Sequence, residues 1–231
     1  MLRLEKLALS YPGFHLTADW SAEPREIIAV IGPSGAGKST LLMTLAGFLA
    51  PQTGRILWQG RDITPLPPAQ RPVSILFQDQ NLFPHLTITQ NLGLALAPDL
   101  NLRRSQIAQI AAVLDRLGLA DLGSRRPADL SGGQQGRAAL GRVVLQARPI
   151  LLLDEPFAAL GPALKTDLLN LVRDLTTETG ALVLLVTHDP KDAQRFADRT
   201  VLVADGVAMP PAPTTGLFAD PPQALQDYLG L

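Results

Sequence analysis

Gly32-Pro33-Ser34-Gly35-Ala36-Gly37-Lys38-Ser39-Thr40 gathers three glycines, one lysine and a Ser-Thr pair in the pattern G-x-x-x-x-G-K-S. Glycine can take backbone angles closed to other residues, so such a loop wraps inward and aims its N–H groups at one point. A helix starting there adds the positive end of its dipole. Lys38 brings a mobile charge for outer phosphates, and the Ser39 hydroxyl can hold Mg²⁺. The chemistry is that of binding a nucleoside triphosphate. The alternative, an ordinary glycine-rich turn, would not need a strand before it and a helix after it.

Two further groups could act on a bound phosphate. Asp154-Glu155 follows the apolar run Ile150-Leu151-Leu152-Leu153. At the end of a buried strand, Asp154 can reach a metal and Glu155 can orient or deprotonate a water. Leu130-Ser131-Gly132-Gly133-Gln134-Gln135 has the spacing of a capping box at Ser131 and Gln134. A helix end with exposed N–H groups and two glycines is also a phosphate site. One nucleotide does not need a second such end within one chain, but two copies facing each other could use it. Gln78, His188 and Tyr11 are unremarkable alone: a strand-end amide, a structural histidine, and the last apolar position of an alternating strand.

The elements that must hold these groups are legible around them. Glu26-Ile27-Ile28-Ala29-Val30-Ile31 is a short apolar run before the loop, and Leu41-Leu42-Met43-Thr44-Leu45-Ala46 is helix-forming after it. Val73-Ser74-Ile75-Leu76-Phe77, Ile150 to Leu153 and Ala181 to Val186 are further strands of the kind covered on both faces. Residues 2–20 differ in texture. Leu2 and Leu4, then Leu7, Leu9 and Tyr11, then Phe14, Leu16, Ala18 and Trp20 alternate as half-buried antiparallel strands. The change of phase at Glu5-Lys6 predicts a bulge. Arg55 to Trp58 reads as another strand, and Val201 to Met209 as a hairpin turning at Asp205-Gly206.

Residues 79–148 carry helical patterning instead. Ile107, Ile110, Ala111, Leu114 and Leu117 lie at three- and four-residue spacing, predicting one apolar face. A helix is expected from Pro162 to Thr179, stopped by Gly180, and another from Asp189-Pro190. The tail carries Pro210, Pro211, Pro213, Pro221 and Pro222 and is expected to be loosely held. The fold class is therefore α/β: a mainly parallel nucleotide-binding core with an antiparallel β subdomain (1–78 and 149–209), an inserted helical subdomain (79–148) and a Pro-rich tail (210–231).

The 231 residues are 46% hydrophobic, enough for one sizeable domain core. A net charge of -1 gives no long-range field favouring nucleic acid. With no cysteine, disulfides, thiolate metal sites and Cys nucleophiles are excluded, which fits a reducing compartment. The N-terminal residues are too charged for a signal peptide, and no run of 18 apolar residues offers a membrane span. Work at a membrane would need a partner subunit there.

Taken together, these motifs resemble the ATP-binding cassette (ABC) family over nearly the whole chain and in the family's order. Residues 32–40 are similar to Walker A, Gln78 to the Q-loop glutamine, and Ser131-Gly132-Gly133-Gln134 to the signature motif. Leu151 to Glu155 resembles Walker B with its catalytic glutamate, Thr187-His188-Asp189 the switch histidine, and Tyr11 the aromatic that stacks on adenine. The resemblance implies an ATPase that works as a head-to-tail homodimer enclosing two ATP molecules. Lys38, Glu155 and His188 would act on the γ-phosphate and the attacking water, facing Ser131 to Gln134 of the other copy. Ser39, Gln78 and Asp154 would hold Mg²⁺. Gln78 would also link the site to the helical insert and so to integral membrane permease subunits. The expected setting is peripheral, on the cytoplasmic side of a bacterial inner membrane, indirectly served by a periplasmic substrate-binding protein and without nucleic acid.

The family typically continues after Walker B with Ser-Ala-Leu-Asp, whereas this chain has Ala158-Ala159-Leu160-Gly161 and lacks the carboxylate that crosses the dimer interface. Gly136 and Gly141 inside the signature helix each cost roughly 1 kcal/mol against Ala, with close helix packing the simple explanation. Arg71 to Gln78, with Asn81-Leu82-Phe83, His85-Leu86-Thr87 and Gln90 to Leu94, is similar to the ATP-binding subunit of bacterial thiamine importers. Iron, polyamine and sulfate importers share parts of this stretch. Phe77, Leu82, Phe83 and Leu86 form either an apolar patch for a partner or the core of the insert. A soluble ABC protein acting on nucleic acid or ribosomes is the rival of another class.

Overall fold

The computed structural model describes residues 1–79, 81–158 and 160–231. The chain opens with an antiparallel pair, β1 (Leu2–Tyr11) and β2 (Phe14–Ala22), whose register slips between Leu4 and Leu7. Lys6 lies at φ +45° there, which is the bulge expected from the change of phase. Next come β3 (Ile27–Ile31), α1 (Lys38–Ala46), β4 (Thr53–Trp58), the two-residue β5 (Arg61–Asp62) and β6 (Val73–Leu76). Helices α2 (Ile88–Gly93), α3 (Arg104–Arg116) and α4 (Gly132–Gln146) follow before β7 (Ile150–Asp154). The chain then runs through α5 (Pro162–Thr179), β8 (Leu182–Val186), α6 (Pro190–Phe196), β9 (Arg199–Ala204), β10 (Val207–Ala208), β11 (Ala212–Pro213), α7 (Thr214–Ala219) and α8 (Gln223–Leu229).

The strands lie in the order β5-β4-β1-β2-β10-β9-β3-β8-β7-β6, with β11 beside β9. From β9 to β6 every neighbouring pair is parallel, while β5, β4, β1 and β2 pair antiparallel. β10 joins the two halves, antiparallel to β9 and parallel to β2. The turn between β9 and β10 has Asp205 at φ +49° and Gly206 at +73°, the two left-handed positions of a tight hairpin.

The continuous apolar runs are explained by burial on both faces. Along β3, Ile28 and Val30 enter one core with α1 and the antiparallel strands. Ile27, Ala29 and Ile31 enter a second core with α4, α5 and α6. In β8, Leu182, Leu184 and Val186 join the first core, and Val183 and Leu185 the second. A third cluster, with Ile88, Leu92, Ile110 and Leu114, knits α2, α3 and α4. Among the described residues between β6 and β7 there is no strand.

Two expectations need correction. Only part of the stripe read on α3 is buried. Ile110, Leu114 and Leu117 are inside, but Ile107 is 51% exposed and Ala111 is also exposed. The helix meets its neighbours along a narrower line than its spacing allows, with Val113 on the covered side. The Pro-rich tail is also firmly placed. Its prolines flank two short helices rather than a free strand, and Leu225 of α8 is 0% exposed in the second core. Gly141 answers the question of glycine in α4: a Cβ there would sit 2.6 Å from Leu117 Cδ1 and 3.3 Å from Leu92 Cδ2.

Candidate functional site

Parallel strands deliver their C-terminal ends to one edge, and the candidate residues collect there. The 32–37 loop leaves β3, Asp154 ends β7, and Thr187-His188 follows β8. The loop's shape depends on its glycines. Gly32 lies at φ +147°, and a Cβ on it would fall 2.0 Å from Val203 O of β9. Gly35 (+78°) and Gly37 (+106°) are also in the positive-φ region. Gly37 caps α1 without any side-chain hydrogen bond, so no side chain competes for the first N–H groups of that helix.

Lys38 is 8% exposed, and its Nζ donates to Gly32 O and Pro33 O, both at 2.8 Å. Burial draws its pKa down, while the nearby carboxylates of Glu155 and Asp154 oppose that shift. Ser39 Oγ donates to Asp154 Oδ1 at 3.0 Å across the sequence. Burial raises the Asp154 pKa above the ordinary aspartate range, against the Ser39 bond, with Glu155 adding to the rise and Lys38 opposing it. One cation and two acids therefore share a desolvated corner next to free helix N–H groups.

Glu155 takes φ +45°, a left-handed conformation unusual for a glutamate. Its N–H bonds to Val186 O at 3.2 Å, and its Oε2 lies 3.0 Å from His188 Nδ1. The turn carrying His188 is braced from below. Thr187 Oγ1 donates to Asp192 Oδ2 (2.8 Å) and accepts from Asp189 N (3.1 Å), and Lys165 of α5 pairs with Asp192. Asp189 accepts from Lys191 N, capping α6 as its sequence predicts.

Tyr11 is exposed at the end of β1 and stacks on Phe14, with ring centroids 6.3 Å apart. Phe14 in turn covers Gly37: a Cβ on that glycine would lie 2.9 Å from the ring. Tyr11 therefore stands at the rim of the loop. Ser131 caps α4 with both halves of the predicted box, accepting from Gln134 N (3.4 Å) while Gln134 Oε1 accepts from Ser131 N (2.9 Å). Gly132 and Gly133 face Leu160 and Leu164, not the 32–40 loop. Gln78 is exposed two residues past β6, and among the described residues no hydrogen bond ties its side chain to Ser39 or Asp154. Of the post-Walker stretch, Ala159 lies outside the described residues. Gly161 caps α5 in an ordinary extended conformation with no side-chain bond.

Sequence reasoning missed several supports. Arg71 is 2% exposed and donates to Thr44 O (2.7 Å) and Leu45 O (2.9 Å), the last carbonyls of α1. It also reaches Leu66 O and Thr64 O, at 2.9 and 2.7 Å. This pins the far end of the phosphate-loop helix, giving Leu45 O a donor and Thr44 O a second one beside Gly47 N. Asn91, fully buried, bonds Phe83, Leu86 and Thr87 backbone groups and fixes the segment after Gln78. Phe14, Lys165, Asp192 and Tyr228 complete the set. Nothing in their spacing announces these roles; Arg71 and Asn91 lie in stretches already singled out, but for their resemblance and not for the bonds they make.

The family described as ABC transporter matches residues 17–158. The chain is 65% identical over 230 residues to "Thiamine import ATP-binding protein ThiQ" of Cereibacter sphaeroides, covering 100% of both chains. It is similar to proteins of the same description from Ruegeria sp., at 54% identity over 230 residues and 100% of each chain, and from Yersinia pseudotuberculosis, at 46% over 231 residues, covering 100% of this chain and 98% of that one.

Proposed function

The chain belongs to the ABC transporter family, and from that premise we propose that it is the ATP-hydrolysing subunit of a bacterial thiamine importer. The observation that carries the catalytic reading is the joining of two distant motifs. Ser39 of the phosphate loop and Asp154 of β7 share a 3.0 Å hydrogen bond with the Lys38 ammonium beside them. Full-length relatives described by thiamine import support the cargo.

Lys38 and the N–H groups at the start of α1 would bind the β- and γ-phosphates, with residues 32–40 wrapped around them. Tyr11, over Phe14, would stack on the base. The adjacent Ser39 hydroxyl and Asp154 carboxylate are the hard oxygen donors Mg²⁺ prefers, so the donor set fits that ion, with Gln78 as a further amide oxygen. Mg²⁺, when bound, would neutralise charge building on the phosphates. Glu155 would orient and polarise the attacking water, and His188, held at 3.0 Å from Glu155, would contact the γ-phosphate.

The glycines of the Ser131 helix end meet Leu160 and Leu164 and not the 32–40 loop, which supports its serving the loop of a second copy in a head-to-tail homodimer. Residues 79–148 would move as the helical subdomain against the core formed by 1–78 and 149–209. The exposed ring of Phe83, stacked under Arg142 with 5.9 Å to its centroid, borders a groove of about 510 Å³ with Leu82, Leu94 and Ala95. Leu82 is half-buried against the second core, so the exposed Phe83 would be the main part of the apolar patch offered to a membrane subunit. Among the described residues no helix is long and apolar enough to cross a membrane. The chain would sit peripherally on the cytoplasmic face and reach a periplasmic binding protein only through the permease.

The test is reconstitution with permease subunits and a substrate-binding protein in liposomes. Thiamine should raise ATP hydrolysis several-fold and enter the vesicles. Stimulation by iron, a polyamine or sulfate instead would keep the importer and replace the cargo, and stimulation by nucleic acid alone would overturn the importer reading.

A further inference from the structure

Helix α8 does more than cover the second core. Leu225 anchors it at 0% exposure, and Tyr228, three residues on and so on the same face, points the other end of that face at the edge where the nucleotide site lies. The Tyr228 hydroxyl donates to the carbonyl of His188 at 2.8 Å. Among the described residues no other group donates to that carbonyl. The imidazole of the same residue meets Glu155 at 3.0 Å. His188 is thus held from two sides, its ring by Glu155 and its backbone by the last helix of the chain. The other braces on this turn, Thr187, Asp192 and Lys165, act on the residues flanking His188 and not on His188 itself.

The helix is built to hold that position. Gln226 Nε2 donates to Pro221 O at 2.8 Å, Leu225 N to Pro222 O at 2.8 Å, and Gly230 closes the helix at φ +72°. The prolines that make the tail look unstructured thus start the helix. Burial, and after it the carboxylates of Glu155 and Asp189, raise the Tyr228 pKa, so the phenol stays protonated and able to donate.

We propose that Tyr228 is a positioning residue of the hydrolytic site, setting His188 relative to Glu155 through the His188 carbonyl. The proposal rests on the reading of Glu155 and His188 as the hydrolytic pair. A single neutral hydrogen bond that orients a group acting on the γ-phosphate predicts a loss in turnover without a loss in binding.

The test uses the full chain assembled with its membrane subunits and compares wild type, Tyr228→Phe, His188→Ala and the double variant. Tyr228→Phe keeps the ring and its packing. It should lower kcat roughly 3- to 10-fold while ATP Kd and Tm stay at wild-type values. In the His188→Ala background the same change should have no further effect on the residual rate, since the side chain it positions is gone. A merely structural role would lower Tm and act equally in both backgrounds; that result, or wild-type kcat in Tyr228→Phe, overturns the proposal. If Tyr228→Phe is silent while His188→Ala fails, only the role of Tyr228 falls. If His188→Ala itself hydrolyses ATP normally, the reading of the pair falls, and the role of Tyr228 with it.

Discussion

Two helices of this chain begin at glycine-rich turns, and they begin differently. α1 starts at Gly37 with no side-chain cap, a buried lysine in its first position and two acids nearby. α4 starts at Ser131 with a complete capping box, on an exposed surface against Leu160 and Leu164. Helix N-termini attract phosphate in general, but the first is left open and the second already has two of its donors satisfied by its own side chains. On the proposed reading α1 would hold a triphosphate by itself. α4 would add to a phosphate bound elsewhere, through the N–H groups its cap leaves free and through the Ser131 hydroxyl, which accepts from Gln134 N and still has its proton to donate. The far ends differ too. Both helices end in a left-handed turn, at Gly47 and Ala147, but Arg71 also donates to Thr44 O and Leu45 O of α1, and among the described residues no side chain does the same for α4.

This contrast can be broken by substitution. The largest effect is expected at the open end's reacting edge. Glu155→Gln should cut ATP hydrolysis by about 10²- to 10⁴-fold with ATP affinity kept, measured by phosphate release beside equilibrium binding. Arg71→Leu should next lower folding stability by roughly 3 kcal/mol, because the carbonyls of Leu45, Thr64 and Leu66 lose this donor and Thr44 O keeps only Gly47 N. Denaturant unfolding reads this directly, and an unchanged midpoint would deny Arg71 its part in holding α1. At the capped end, Ser131→Ala should cost only about 1 kcal/mol of stability. It should leave ATP binding to the single chain intact and still reduce hydrolysis by about 10²-fold. Equal loss of binding and hydrolysis would mean the two helix ends are not divided as described.

The smallest change is expected at Gly161. Its Cβ would meet nothing within 4 Å, and α5 has no side-chain cap there. Gly161→Asp should then alter stability by only a few tenths of a kcal/mol. Any change in ATPase rate or cooperativity can be assigned to a carboxylate added at the proposed dimer interface, and unchanged kinetics would show that such an interface does not need it.

Most of the open end was legible beforehand, because its signals are local. Glycines in the loop, apolar runs at β3, β7 and β8, and polar residues just past them each report their own conformation. The bulge at Lys6 and the hairpin at Asp205-Gly206 were visible for the same reason. What was hidden is tertiary. Arg71 looks like any surface arginine until it is seen beside the end of α1. Phe14 alternates like its neighbours and gives no hint that it covers Gly37. The tail misled because proline density suggests looseness, whereas here the prolines start short helices and Leu225 finds a core built by distant segments. On α3 the period was right but the burial was not, since spacing defines a face without saying how much of it a neighbour will cover.

The central claim is that α1 holds the nucleotide and α4 completes the site of a second chain. The most direct measurement is analytical ultracentrifugation of Glu155→Gln and of Glu155→Gln/Ser131→Ala at saturating ATP, with bound nucleotide counted in each. The account predicts a dimer for the first and an ATP-loaded monomer for the second. A Glu155→Gln chain that stays monomeric with ATP bound, or a double variant that dimerises just as readily, would contradict it.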